Sequence, residues 1–214
     1  MTKPRDSYHH GDLRNALIDA AMELAKQGGP EAVVLREAAR HVGVSPTAAY
    51  RHFASHTDLM HVIKDRALSI LTDAMEEQLA TLAQTSGPLA DAVAGMRAIG
   101  AGYVHFALEN PGVFRTWCNH TPAHDASETG DERKYEHSRP FRVLTEALDE
   151  LGRVGLLKPE RREGAEIAAW AAVHGLAILL LDGPLTSLPA EQKDAVINST
   201  LDMVVGGICN QPPA

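Results

Sequence analysis

From Leu13 to Ile208, apolar residues return every three or four positions, and no long alternating runs of Val, Ile and Thr stand between hairpin turns. A spacing near 3.6 puts apolar side chains on one face of a helix, whereas a half-buried strand needs a period of two. The fold class read from this pattern is all-α: an N-terminal domain of three or four helices, linked to a larger C-terminal helical bundle. Leu13, Leu17, Ala20 and Leu24 make the first stripe, which ends at Gly28-Gly29-Pro30. Leu35, Ala38, Ala39 and Val42 make a second, two-turn stripe closed by Gly43. A third helix is expected from Ser45 (N-cap) and Pro46 to about Phe53. A fourth opens at Ser55, with Asp58 three residues on as capping partner, and continues through Leu59, Ile63, Ala67, Ile70 and Ala74. After Thr85-Ser86-Gly87-Pro88 the periodic segments cover roughly 89–109, 112–119, 135–151, 159–182 and 189–208, and the polar stretch 120–132 between them reads as a mobile loop. The domains are therefore expected at 1–66 and 67–214.

With 214 residues, 44% of them hydrophobic, the chain has enough apolar material to fold without a disulfide or metal staple. Its two cysteines, Cys118 and Cys209, are far apart and form no C-x-x-C, which argues against a disulfide framework or a zinc ribbon. The first residues are polar where a secretory signal would be apolar, and the most apolar stretch, Ile167 to Leu181, is interrupted by His174 and Gly175. The expected location is the cytoplasm, with no membrane partner and no cofactor. The formal charge of −8 is unevenly spread: residues 1–66 hold nine Lys or Arg against eight Asp or Glu, and residues 67–214 hold eleven against twenty. Six of the eleven histidines (His9, His10, His41, His52, His56 and His61) also lie in the first segment, where imidazoles can donate to phosphate.

The segment with functional content is Val34 to Phe53, VLREAARHVGVSPTAAYRHF: a short amphipathic helix, a tight Gly43-Val44-Ser45 turn and a second short helix. This is the pattern of a helix-turn-helix. Small residues at Ala48 and Ala49 allow close packing of the second helix, whose N-terminal end carries Ser45, Pro46, Thr47 and Ala48. That end offers hydroxyls, a positive dipole and little bulk to the major groove, and Thr47 is the leading candidate for base contact. Tyr50, Arg51 and His52 supply donors for flanking phosphates, and Arg36 and His56 complete the candidate DNA-binding set.

The stretch from Tyr8 to about Leu71, especially YHHGDLRNALIDAAMELAKQGG and LREAARHVGVSPTAAYRHF, closely resembles the N-terminal domain of the TetR family of regulators. The resemblance implies that four N-terminal helices bind DNA, that the third is the recognition helix, and that the remaining helices bind a ligand and dimerise. It implies a DNA-binding transcriptional regulator, by the family's default a ligand-released repressor that binds a palindromic operator as a homodimer. Carried over, Ser45, Pro46, Thr47, Ala48, Tyr50, Arg51 and His52 face DNA and Phe53 is core. Two positions depart from the family pattern, Val34 in place of Ser or Thr and His56 in place of Lys. Both usual residues suit phosphate, so their loss predicts weaker or more pH-dependent binding, and Lys3 and Arg5 are candidates for a compensating N-terminal arm.

Trp170 to Gly175 resembles the W-x-x-x-H-G signature of one class of TetR-family C-terminal domains. His174 sits one turn beyond Trp170 on the same face, either as a satisfied core residue or as a polar contact for a ligand. Candidate walls of a ligand cavity are Met96, Ile99, Tyr103 and Phe106, then Phe114, Trp117 and Cys118, then Phe141 and Leu144; the same spacing also suits plain core. Mainly apolar walls favour a hydrophobic or aromatic effector. Ile197, Leu201, Val204 and Ile208 form a stripe that, with Ala168 to Leu181, suits a four-helix dimer interface. The chain carries no G-x-S-x-G, H-E-x-x-H, Walker loop or strand-borne G-x-G-x-x-G, so it is not expected to be an enzyme. The alternative is a helical metal-sensing or protein-interaction module without operator binding: His52 and His56 are four apart, as are His120 and His124 beside Asp125, but neither pair has an obvious third ligand.

Overall fold

The computed structural model of the protein describes residues 10–82, 87–118 and 134–209. The expected N-terminal arm at Lys3 and Arg5 and the loop 120–132 with His120, His124 and Asp125 lie outside these residues. The helices are α1 (His10–Gly28), α2 (Leu35–Val42), α3 (Pro46–Ala49), α4 (His56–Ala80), α5 (Pro88–Glu109), α6 (Pro111–Cys118), α7 (Arg139–Arg153), α8 (Ala165–Leu181) and α9 (Ala190–Ile208). Among the described residues the only β-type pairing is one isolated antiparallel bridge, Leu157 to Cys209, and the fold is all-α. The chain forms two compact units: residues to Ala67 with the segment that begins at Asn110, and Leu68 to Glu109 with the chain from α7 onward. The segment with α6, which follows the expected boundary at residue 66, clusters with the first unit.

In the first unit α1 packs against α2 and α6. Its buried side is Leu17, Ile18, Ala21, Met22, Leu24 and Ala25, so the stripe is centred on Ala21 and leaves Ala20 half-buried. A Cβ on Gly112 would collide with the carbonyl oxygens of Ala25 and Lys26, which shows how closely the start of α6 lies on the last turn of α1. Phe53 is buried beneath α1, where the Arg14 guanidinium stands 5.1 Å from its ring centroid. Along α4 the buried row runs Leu59, Ile63, Ala67, Leu71 and Met75 at strict four-residue steps. The expected Ile70 and Ala74 sit beside it, half-buried.

In the second unit α5 is the central helix and packs against α7, α8 and α9. Its buried residues include Met96, Ile99, Tyr103, Val104 and Phe106, which meet Leu144, Leu148, Leu176, Leu180, Ile197 and Leu201 in a single core. Arg139 at the start of α7 reaches Ser69, Asp73 and Glu76 on α4, and Arg162 bridges Asp149 of α7 and Glu166 of α8. The continuous helix expected over 159–182 is divided into a 3-10 turn, Pro159–Arg161, and α8. Gly164 between them has φ +75°, a left-handed conformation that ends helical propagation. Likewise the helix expected from 135 starts at Arg139, behind a 3-10 turn at Lys134–His137. No helix among the described residues is long and apolar enough to cross a membrane.

Candidate functional site

The turn between α2 and α3 is built by two local devices. Gly43 has φ +78°, and the N–H groups of Gly43 and Val44 donate back to Arg40 and Ala39, closing α2 sharply. Ser45 then caps α3, its Oγ accepting from the Ala48 N–H at 3.2 Å, with Pro46 at the first helical position. Regular α3 is shorter than expected and ends at Ala49. The chain continues to Phe53 in a tighter turn, with Arg51 N–H donating to Ala48 O and His52 N–H to Ala49 O. Ala49 is fully buried and seats the helix on the unit, while Ser45, Pro46 and Thr47 are exposed and Ala48 is half-buried. Tyr50, Arg51 and Arg36 are exposed and His52 is half-buried.

Charge on this face is unevenly compensated. Arg40 is paired with Glu37 one turn away at 2.7 Å, whereas among the described residues neither Arg36 nor Arg51 makes an ion pair. Both guanidinium groups are exposed. Ser55 and Asp58 form a reciprocal capping box at the start of α4, Ser55 N–H donating to the Asp58 carboxylate at 3.1 Å and Asp58 N–H to Ser55 Oγ at 3.0 Å. His56, expected as a phosphate contact and weighed with His52 as a metal pair, makes a bond within the unit. Its Nε2–H donates to the Val33 carbonyl at 2.8 Å, tying the start of α4 to the segment that leads into α2. The imidazole remains exposed, with Nδ1 its other polar atom. That bond also removes Nε2 as a metal ligand. Among the described residues no three His, Cys, Asp or Glu side chains converge on a metal position.

In the second unit three of the expected ligand contacts come together. Tyr103 Oη lies 2.8 Å from His174 Nδ1, the two sharing one proton, and Trp170 Nε1–H donates to the same Oη at 3.3 Å. Tyr103 is buried, and Trp170 and His174 are half-buried one turn apart on α8. Met96, Ile99, Phe106 and Leu144 are core residues of this unit, with Phe141 half-buried on α7. Phe114, Trp117 and Cys118 belong to α6 in the first unit, where Phe114 and Trp117 make an edge-on pair with centroids 5.8 Å apart.

Residues 17–63 match the model of the bacterial regulatory proteins of the TetR family, and residues 96–204 match the model of the tetracyclin repressor-like C-terminal domain. The chain belongs to the TetR family. It is 29% identical over 104 residues to YobS of Bacillus subtilis strain 168, an uncharacterized HTH-type transcriptional regulator; the match spans 49% of this chain and 50% of that relative. Similar solved structures include a protein of unknown function from Rhodococcus sp. RHA1, with a TM-score of 0.73 and 24% identity over 96% of this chain and all of that one. A TetR-family regulator from Marinobacter aquaeolei VT8 has a TM-score of 0.65 and 20% identity, covering 93% of this chain and 96% of that one. A TetR variant from Acinetobacter baumannii AYE, crystallised with minocycline, has a TM-score of 0.60 and 18% identity, covering 94% and 96%. The chain is a TetR-family transcriptional regulator with a DNA-binding helix-turn-helix.

Within that family frame two features of the second unit were not visible as sequence patterns. The α9 stripe expected at a dimer interface is internal: Ile197, Leu201 and Ile208 are buried, with Val205 in place of the half-buried Val204, because this face packs on α5 and α8. The exposed apolar surface lies elsewhere, at Ile167, Ile178 and Leu179 of α8 and Met203 of α9. The second feature is a groove of about 610 Å³ whose lining includes Leu82, Leu89, Arg97 and Asn198, none of them among the expected ligand contacts.

Proposed function

We propose that this TetR-family chain acts as a homodimeric repressor, two copies seating their α3 helices on a palindromic operator until a small-molecule effector releases them. The observation that carries the dimer is α8. A helix that is apolar on all sides is normally buried all round. One side of α8, through Ala169, Val173, Leu176 and Leu180, is buried in the core, while the opposite side exposes Ile167, Ala168, Ala171, Ile178 and Leu179. Gly175 on that side has open space around its Cβ direction, so a second helix can approach closely. A two-fold pair about this face presents two recognition helices, and operator half-sites then repeat at about 34 to 36 Å or a multiple.

Thr47 at the open end of α3 reads base edges, while Arg36, Tyr50, Arg51 and His52, with the Ser45 hydroxyl, hold phosphates and set register. The effector is hydrophobic or aromatic, its polar group met by the Tyr103, Trp170 and His174 cluster; Met96, Ile99, Phe106, Phe141 and Leu144 of the same unit are its candidate walls. No catalytic step forms part of this function. Selection of bound duplexes from a random-sequence library tests the operator reading. The expected outcome is an inverted repeat occupied by two protomers. Enrichment of a single asymmetric site bound by one protomer would overturn it.

A further inference from the structure

Beyond that effector site, we infer that the groove between the end of α4, α5 and α9 is a second ligand site, built for an acyl chain with a neutral carbonyl group. All of its lining belongs to the second unit. Four of the α5 residues that line it, Ala90, Ala94, Ala98 and Ala101, are small, where larger side chains would fill the space. Its sides are aliphatic: Leu82, Leu89, Val93, Leu156 and Leu201. Leu82 and Leu89 stand well out into solvent, 36% and 55% exposed, an unfavourable arrangement that an aliphatic ligand relieves. A volume near 610 Å³ lies within the usual range for small-molecule sites of roughly 300–1,000 Å³.

Arg97 supplies the polar contact. A guanidinium has five N–H donors. Among the described residues its partners are Asn198, which accepts from Nη2 at 3.3 Å, and Asp202, which forms an ion pair with Nη1. Donors of the five therefore remain beside the aliphatic side of the groove. Asn198 is itself held by its Nδ2–H donating to the Asp194 carbonyl, so the guanidinium is oriented by a fixed neighbour. Asp202 already balances the charge of Arg97, and the other polar lining groups, Gln78, Thr81 and Asn198, are neutral. A carboxylate brought here would face Asp202 across one shared cation, whereas an amide or ester carbonyl accepts the spare N–H groups without adding charge.

The test is calorimetric titration of the full chain with decanamide, and separately with decanoate. The inference expects one decanamide per protomer, decanoate several-fold weaker, and at least tenfold weaker decanamide binding in Arg97→Met, which keeps the aliphatic stem. Ala94→Trp, at a half-buried position in the groove, abolishes binding, and Ala101→Leu weakens it should the larger substitution fail to fold. His174→Ala leaves decanamide affinity unchanged, so failure here and failure of the effector site proposed above are separable. Absence of saturable binding, tighter binding of decanoate, or loss of binding in His174→Ala with none in Ala94→Trp would each overturn the assignment.

Discussion

Replacing Tyr103 by Phe keeps the buried ring and removes a single hydroxyl, the atom on which both polar partners of α8 converge. Trp170 Nε1–H is a donor with no acceptor capacity, and His174 Nδ1 loses the group with which it shares a proton. Each lost hydrogen bond costs about 1 kcal/mol net. Trp170 and His174 are half-buried and regain part of this from water, so the total falls at roughly 1–2 kcal/mol. For a chain of this length each kcal/mol lowers Tm by roughly 2–4 °C, which gives a fall of about 2–8 °C. The assay is thermal and urea unfolding of Tyr103→Phe, His174→Ala and the double variant, read as a cycle. A coupling of about 1 kcal/mol between the two positions is expected for groups in direct contact. A Tyr103→Phe protein with unchanged Tm and no coupling to His174 would show that the cluster is not held by these bonds and would remove the geometric basis for the effector contact.

Three further outcomes follow from the same geometry. Ser55→Ala removes one half of the capping box of α4 and lowers stability by about 1 kcal/mol in urea unfolding, and Asp58→Ala, which removes the other bond, lowers it further. Ala171→Glu or Leu179→Glu, both on the exposed face of α8, converts a dimer into a monomer by light scattering without lowering helicity. Burial pushes the Cys209 thiol above its ordinary pKa, so in a Cys118→Ser background it reacts slowly with a disulfide reagent at pH 8 and at the rate of a free thiol once guanidinium unfolds the chain.

The parts legible in the sequence were those fixed by local chemistry. Gly43, Ser45, Pro46 and the Ser55 and Asp58 pair each satisfy or end a helix within a few residues, and each is found where its residue type places it. The stripes were legible to within about one position. A row such as Ile70 and Ala74 on α4, or Val204 on α9, differs from the buried one by a rotation of 100° per residue, and only neighbouring helices decide between them. The packing of α6 on α1, the internal α9 stripe and the Arg97 groove depend on contacts between segments distant in sequence, for which periodicity carries no signal. The groove did leave a trace, the row of alanines along α5, but such a row fits close helix packing equally well. His56 shows the same limit: its spacing marks the start of α4, while its bond to Val33 depends on how two turns meet.

Whether the open end of α3 reads DNA is decided by fluorescence anisotropy of the protein on the duplex upstream of its own coding region, across a salt series. Selective binding that falls steeply with salt is expected, with a changed base preference in Thr47→Ala and uniformly weaker binding with a shallower salt slope in Arg51→Ala. Binding to no duplex, there or from a random-sequence pool, at low salt and with both variants indistinguishable from the parent, would contradict DNA reading by α3.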